Sequence, residues 1–244
     1  MRLSVTLTVL RASVRFLNEF VTFKRLTSRT NPRFVVRWKD RFPCLFEKTR
    51  STEFDRHYIY HTAWAARLLR STKPSQHVDI SSSLYFCTML SAFIPIRFYD
   101  YRPPGLELDD LSCEAANLTA LPFDNETIWS LSCMHVAEHV GLGRYGDELD
   151  PEGDVKAMSE LSRVLARGGS LLFVVPVGKP RIRFNAHRIY SFEQVMDGFP
   201  TLRLHEFSLI PDSSKVGGLI RNARPELANA QDYGCGCFWF RKAE

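Results

Sequence analysis

Hydrophobic and polar positions along residues 77–177 follow two alternating periods. Short apolar runs have the length and residue content of buried strands: "HVDIS" at 77–81, "IPIRFYD" at 94–100, "TIWSLSCMHV" at 127–136 and "SLLFVVPV" at 170–177. The segments between them read as helices. "SLYFCTMLSAF" is one, and "DPEGDVKAMSELSRVLARGG" is another, with Asp150 as its cap, Pro151 at its first position and Gly168–Gly169 ending it. Strands alternating with helices predict a mostly parallel α/β sheet with helices on both faces. Past residue 185 the texture shifts. "SFEQVMDGF" is a short helix, then "LRLHEFSLI" and "CGCFWFRK" are strands without a full helix between them. The sheet is therefore expected to finish in an antiparallel C-terminal strand pair.

Residues 1–54 form a separate segment in this reading, and 55–244 the α/β domain. Leu3, Leu7, Leu10, Val14, Leu17 and Val21 fall at helical spacing, while Arg11, Arg15, Asn18 and Thr22 mark another face. Such a helix suits an anionic membrane surface, or packs on its own domain or a partner. Ser4–Val9 also alternates polar with β-branched residues, which leaves a strand open there. Residues 31–54, rich in Pro, Arg and aromatics, read as an irregular connector. "FDRHYIYHTAWAARLLRS" then predicts a helix capped by Asp55, with Ile59, Ala63 and Ala66 on its apolar face.

Composition narrows the class. A hydrophobic content of 45% and a charged content of 24% are those of a globular protein. No apolar run reaches the roughly 18 residues of a spanning helix. Arg11 and Arg15 interrupt the first apolar run, and no small-residue cleavage site follows, so a secretory signal is not expected. Residues 1–42 hold ten basic and two acidic residues, so the net +5 leaves −3 for the remainder. The basic character is an N-terminal feature, and no nucleic-acid-binding face is indicated. Six scattered cysteines without a CxxC pair suit a reducing cytoplasm, with a peripheral position at the inner membrane surface left open by residues 1–25.

Four stretches resemble the class I S-adenosylmethionine-dependent methyltransferases, over about residues 55–242. "HVDISSS" resembles the first motif and "FYDYRP" the end of the second strand. "NLTALPFDNETIWSLSCMHVAEHV" resembles the family's "LPF…EH" run, and "ELSRVLARGGSLLFVVP" its "RVLKPGG" run. "HVAEHVGLGRYGD", "VPVGK", "FNAHRIYS" and "YGCGCFWF" look closer still to an uncharacterised bacterial domain-of-unknown-function branch. The resemblance implies a Rossmann-like methyltransferase fold, an S-adenosylmethionine cofactor and a small-molecule or glycan-type acceptor. It implies a cofactor rim of Asp79, Ser81, Ser82, Asp100, Asn117 and Met134. Ligands of such sheets lie across the carboxyl ends of the strands, where strand order reverses. Asp100 could accept ribose hydroxyls, although an acid before "RPPG" also suits a turn. One departure stands out: Ser81, Ser82 and Ser83 replace the glycines of the first motif, which permit positive φ and close backbone approach. A non-catalytic binding or scaffold protein on the same fold is therefore the alternative.

His135, Glu138 and His139 spell H-x-x-E-H, also the inverted zinc-peptidase pattern. That reading needs a sustained helix, but a strand precedes His135 and Gly141, Gly143 and Gly146 follow. A strand-end loop entering a short helical turn fits better. No metal is expected, since no third ligand is singled out, and Cys235 and Cys237 read as a buried strand face. His135, Glu138, His139 and His187 are the candidate catalytic groups for an acceptor that must lose a proton. Asn185 and Arg188 are candidates to hold a polar or anionic substrate. The plain alternative is that His135 packs at the strand end and His139 pairs with Glu138 or a carbonyl.

Overall fold

The computed structural model describes residues 2–28 and 33–244, with the side chains of residues 2–5 outside the described set. The chain divides into two compact units, residues 1–54 and 55–244. In the first, helix α1 runs Arg2–Thr27 without a break, so the strand left open at Ser4–Val9 does not form. Lys24 and Arg25 close it, where cations favour the helix dipole. Its Arg15 donates to the Leu45 carbonyl at 2.9 Å, and Glu19 pairs with Lys48. Phe20 meets Trp38 edge-on at 5.0 Å, so the connector folds back along this helix. Leu3 lies outside the described side chains, and connector residues 31 and 32 lie outside the described residues. Among the described residues no helix is long and apolar enough to cross a membrane.

The second unit is built on a seven-stranded sheet. Its strands are β1 (His77–Ile80), β2 (Ile96–Asp100), β3 (Leu111–Ala115), β4 (Ile128–Met134), β5 (Leu165–Val177), β8 (Leu202–Ile210) and β9 (Gly234–Lys242). A separate hairpin pairs β6 (Arg181–Arg183) with β7 (His187–Ile189). The sheet order is β3-β2-β1-β4-β5-β9-β8. The first five strands are parallel, and β9 runs antiparallel to both of its neighbours. Strand order reverses between β1 and β4, which puts the switch-point crevice at their carboxyl ends.

Side chains alternate across the sheet as the pleat requires. Leu171, Phe173, Val175 and Val177 of β5 join one core with helices α4 (Gly153–Val164), α5 (Phe192–Gly198) and α6 (Pro225–Asn229). Leu172 and Val174 join the other with α2 (Arg56–Thr72) and α3 (Leu84–Ser91). Asp55 caps α2, accepting from the Tyr58 amide at 3.1 Å. The apolar face expected for α2 is rotated. Ile59 is 53% exposed, and His61, Trp64, Ala65, Leu68 and Leu69 face inward instead. A tryptophan and two leucines bury far more apolar area than two alanines, and that area decides the roll of the helix. Gly168–Gly169 does not end α4. The helix stops at Val164, Leu165 and Ala166 are buried, and the glycine pair lies inside β5, where its register with β4 shifts. β3 is an edge strand with only Leu111 buried, so its sequence carries no core period to read.

A polar chain crosses the apolar layer beneath the crevice. Nδ1 and Nε2 of His77 lie 2.7 Å and 2.8 Å from the hydroxyls of Ser130 and Ser132. Ser132 donates to Asp79 Oδ2, and the Ser82 amide donates to Asp79 Oδ1 at 2.9 Å. Since Ser132 spends its proton on Asp79, it accepts from His77 Nε2–H, and Ser130 donates to Nδ1. Burial pushes the His77 ring from 6.5 to about 3, and pushes the Asp79 carboxyl up. The folded ring stays neutral while the unfolded ring takes a proton below about 6.5. Its stability contribution is present above that pH and is lost as pH falls toward 3. Asp79 acts in the opposite sense, because acidification relieves the cost of its buried charge. Replacing His77 with Gln should remove about 1.4 kcal/mol per pH unit from the slope of unfolding free energy across pH 6 to 4. Urea titrations over that range check it, and an unchanged slope would show that His77 is not the titrating group.

Candidate functional site

Four strand ends supply the rim. Ser81 follows β1, Asp100 ends β2, Asn117 lies two residues past β3, and His135 follows β4. Ser81, Asp100, Asn117, His135 and His139 line one cleft of about 250 Å³, together with Tyr101, Arg102, Tyr145 and Asp147. Asp100 Oδ1 accepts from the Arg102 amide at 2.7 Å, which aims the carboxylate along the rim. Asn117 Oδ1 accepts from the Thr119 amide and hydroxyl at 3.0 and 2.9 Å. That fixes the amide group and leaves its NH2 as a donor.

Ser81 takes φ 54°, the left-handed conformation for which the family's glycine is suited. The turn survives because it is held twice: the Ser81 amide and hydroxyl both donate to the Tyr99 carbonyl, at 2.7 and 3.1 Å. The Ser81 hydroxyl is therefore spent on the backbone. The Ser82 hydroxyl accepts from the Met134 amide at 3.0 Å, and its own proton goes to the Asp79 carboxylate.

Three expected cofactor contacts land elsewhere. Asp79 is fully buried with both oxygens bonded, so it braces the cleft from below. Ser82 ties the loop to β4, and Met134 is 1% exposed in the α2–α3 core. Arg188 does not face a substrate either. It is buried, its Nη1 donates to the Val140 carbonyl at 2.6 Å, and its Nε lies 3.3 Å from Asp154. Its planar fork joins the loop after β4 to the start of α4. Asn185 is exposed at the turn of the β6–β7 hairpin.

The H-x-x-E-H segment forms a single tight turn over Ala137–His139, not an α-helix. His135 has φ 60° and is buried. Its Nδ1 lies 2.9 Å from Glu138 Oε1, and its Nε2 lies 3.4 Å from the Cys235 thiol. Burial opposes ionisation of Glu138, but the His135 hydrogen bond and the neighbouring imidazoles of His135 and His139 hold its carboxyl below the usual range. His139 Nδ1 is 2.6 Å from the Ala186 carbonyl. A carbonyl oxygen can only accept, so Nδ1 donates to it; the Arg144 guanidinium, 3.3 Å from the same nitrogen, donates to that carbonyl at 3.1 Å, and Nε2 is left on the other side of the ring. That nitrogen is 3.8 Å from Glu138 Oε1, beyond a direct hydrogen bond but close enough to feel the charge. His187 lies behind, its ring 6.4 Å from that of His139, and burial pushes its pKa down.

Tyr101, Arg102, Tyr145 and Asp147 were not singled out by sequence. Tyr145 lies edge-on to His139 at 5.7 Å, with Arg102 and Arg144 at 4.9 and 5.0 Å from its ring. Asp147 folds the loop by accepting from the Gly141, Gly143 and Tyr145 amides at 2.7, 3.3 and 3.1 Å. The one readable signal was the run "GLGRYGD", closely spaced glycines ending in an acid that can collect amides.

Residues 123–205 match a family described as "Caenorhabditis protein of unknown function, DUF268". A domain-of-unknown-function family is thus matched over about a third of the chain, and its description names Caenorhabditis where a bacterial branch was expected. No curated protein matches the chain by sequence. Solved structures share the fold. The N-methyltransferase NodS of Bradyrhizobium japonicum WM9, in complex with S-adenosyl-L-homocysteine, is 14% identical, covers 83% of this chain and 92% of its own, and aligns with a TM-score of 0.56. The 1,6-didemethyltoxoflavin-N1-methyltransferase of Burkholderia thailandensis, with bound S-adenosylhomocysteine, is 9% identical, with coverage of 80% and 94% and a TM-score of 0.51. The fold is the Rossmann-like methyltransferase fold, with the expected antiparallel C-terminal strands.

Gly141 carries the loop that closes this site. Its φ is +79°, and a Cβ there would lie 2.1 Å from the Asp150 carbonyl oxygen. Gly141→Ala should cost at least about 2 kcal/mol of unfolding free energy, from backbone strain and displaced loop contacts together. Denaturant unfolding of the variant measures it, and a loss below about 0.5 kcal/mol would show that the loop adapts.

Proposed function

We propose that the protein is an S-adenosylmethionine-dependent methyltransferase acting on a small-molecule or glycan-type acceptor with an ionisable hydroxyl or amine. The supporting observation is the convergence of Asp100, Asn117 and Ser81 on one cleft at the switch point of the sheet. Asp100 has the lone pairs to accept ribose hydroxyls, and Asn117 has an NH2 for an adenine edge. The loop after β1 leads into α3, whose first amides have no partner within the helix and suit a carboxylate. The residues present therefore fit the cofactor, with the Ser81 turn standing in for the glycine turn. When bound, the cofactor supplies an electrophilic methyl group.

The chain's own part is alignment and proton removal. Holding an acceptor in line with the methyl group supplies a large share of the acceleration. His139 Nε2 is the base, since its other nitrogen is fixed by the Ala186 carbonyl. Glu138 stabilises the imidazolium that forms, from 3.8 Å and without exposure to solvent. His135 has both nitrogens engaged and positions Glu138. His187, with its ring 6.4 Å from that of His139, and Asn185 at the hairpin turn would extend the acceptor side beyond the cleft itself.

Six free cysteines suit a reducing cytoplasm, which we take as the compartment. The exposed Leu10, Val14, Leu17 and Val21 of α1, with Arg11 and Arg15, suit contact with an anionic membrane surface or a protein. Co-sedimentation with anionic vesicles, abolished by Leu17→Asp, would select the membrane, and no sedimentation of wild type would exclude it.

Calorimetry tests the central reading. Wild type should bind S-adenosylmethionine or S-adenosylhomocysteine, and Asp100→Ala should weaken binding about 10- to 100-fold, the worth of charge-assisted hydrogen bonds. His139→Gln should keep cofactor affinity and lower turnover about 10²- to 10⁴-fold once an acceptor is found. Absence of heat with either cofactor form in wild type would overturn the proposal. The engaged Ser81 hydroxyl favours one other reading, a non-catalytic binding protein on this fold, and detection of a methylated product would exclude it.

A further inference from the structure

Beside the cleft, on the side of the strand tips covered by α2, three imidazoles and a thiol gather. His57 and His61 come from the first turns of α2, His135 from the end of β4 and Cys235 from the start of β9. Strand β9 pairs antiparallel with β5 and sets Cys235 opposite Pro176, at the same carboxyl rim. One ligand-type atom from each of His57, His135 and Cys235 lies within 4.8 Å of the others. His135 Nε2 and Cys235 Sγ are 3.4 Å apart. That is close to the spacing of a nitrogen and a sulfur on one tetrahedral ion with bonds of about 2.0 and 2.3 Å.

The hydrogen bonds settle which ring nitrogens carry lone pairs. His135 Nδ1 is held by the Glu138 carboxylate at 2.9 Å, so its Nε2 carries the lone pair that meets Cys235. A carboxylate on the far nitrogen is the arrangement that orients metal-binding imidazoles and raises their basicity. His61 Nδ1 lies 2.7 Å from the His57 carbonyl and must donate to it. Its Nε2 is then a lone-pair nitrogen, buried and without a partner, on a ring 5.1 Å from that of His135. A buried nitrogen left bare is costly, and a water held on an ion would provide its missing partner. His57 is only half-buried and stacks on Tyr233 at 5.0 Å, which leaves a way in from solvent.

We propose that His57, His135 and Cys235 bind one divalent cation of the zinc class, with a fourth position open to water or a substrate oxygen. Two imidazoles and a thiolate are borderline-soft donors, which suit zinc or cobalt(II) and not magnesium or calcium. Three protein ligands and a vacant position are the pattern of reactive zinc sites, as against closed four-ligand structural ones. Binding would release the Cys235 proton, because a coordinated thiol ionises. Glu138 would then link the ion, through His135, to His139 on the cleft side. The assignment stands whether or not the neighbouring cleft transfers methyl groups.

Cobalt(II) titration of the metal-stripped full-length chain, followed by displacement with zinc, tests it. Wild type should bind one equivalent and develop a thiolate-to-cobalt charge-transfer absorption. Cys235→Ser should lose that absorption, and Cys237→Ser, on the same strand, should keep it. His57→Ala, at the more accessible edge, should weaken zinc binding tenfold or more without disturbing the sheet. Glu138→Gln, which removes the support and not a ligand, should weaken it about 10- to 100-fold. No stoichiometric cobalt or zinc in wild type, an absorption that survives Cys235→Ser, or unchanged affinity in His57→Ala would each overturn the assignment.

Discussion

Asp79 stands at the junction of β1 and β4, fully shielded from water, and both of its oxygens accept hydrogen bonds, one across to β4 and one from its own following loop. One receives the Ser132 hydroxyl from β4, and the other receives the Ser82 amide from the loop that leaves β1. The Ser82 hydroxyl then takes the Met134 amide at the end of β4. These contacts lock two strand tips and one loop into a single geometry. Each hydrogen bond accepted by a buried carboxylate offsets part of its desolvation, so the members of the network support one another. The rim residues Ser81 and His135 directly follow the strands that this network ties together.

Above that brace the rim divides into two chemistries that share Glu138. On one side are Asp100, Asn117 and His139, around an open cleft. On the other are His57, His61 and Cys235, mostly buried beneath α2. His135 stands between them, bonded to Glu138 through one nitrogen and facing Cys235 through the other. Glu138 keeps its charge at 1% exposure because imidazoles on both sides favour the ionised form over the cost of burial. One of its oxygens has no partner among the described residues. A change on either side therefore alters the field felt by the other, since little water screens charges at this depth.

Much of this architecture is visible in the residue order. The runs at 77–80, 96–100, 128–134 and 202–210 carry recurrent apolar positions, and they form strands within a residue or two of where the pattern puts them. Asp100 could be placed on a rim because a polar residue after a buried strand must leave the core, whereas Asn117 reaches it only through the family resemblance, since the edge strand before it leaves no core period. The misplacements share a cause. Asp79 and Arg188 are charged residues near strand ends, and sequence alone reads such residues as facing solvent or ligand. In the folded chain each meets enough donors or acceptors to be buried, from Ser132 and Ser82 in one case and from Val140 and Asp154 in the other.

What the sequence by itself determined is the α/β class, the order of the buried strands and main helices, and the polar residues that follow those strands, because periodicity and local propensity are properties of neighbouring residues. Only the tertiary structure decided which tips share a cavity, which hydroxyls are spent on backbone, and which helix face is buried. The cluster of His57, His135 and Cys235 shows why. Its members are separated by 78 and 100 positions and meet only because β9 returns antiparallel beside β5 while α2 covers their ends. No local pattern encodes such a meeting, since it depends on where distant segments are carried by the packing of the whole sheet.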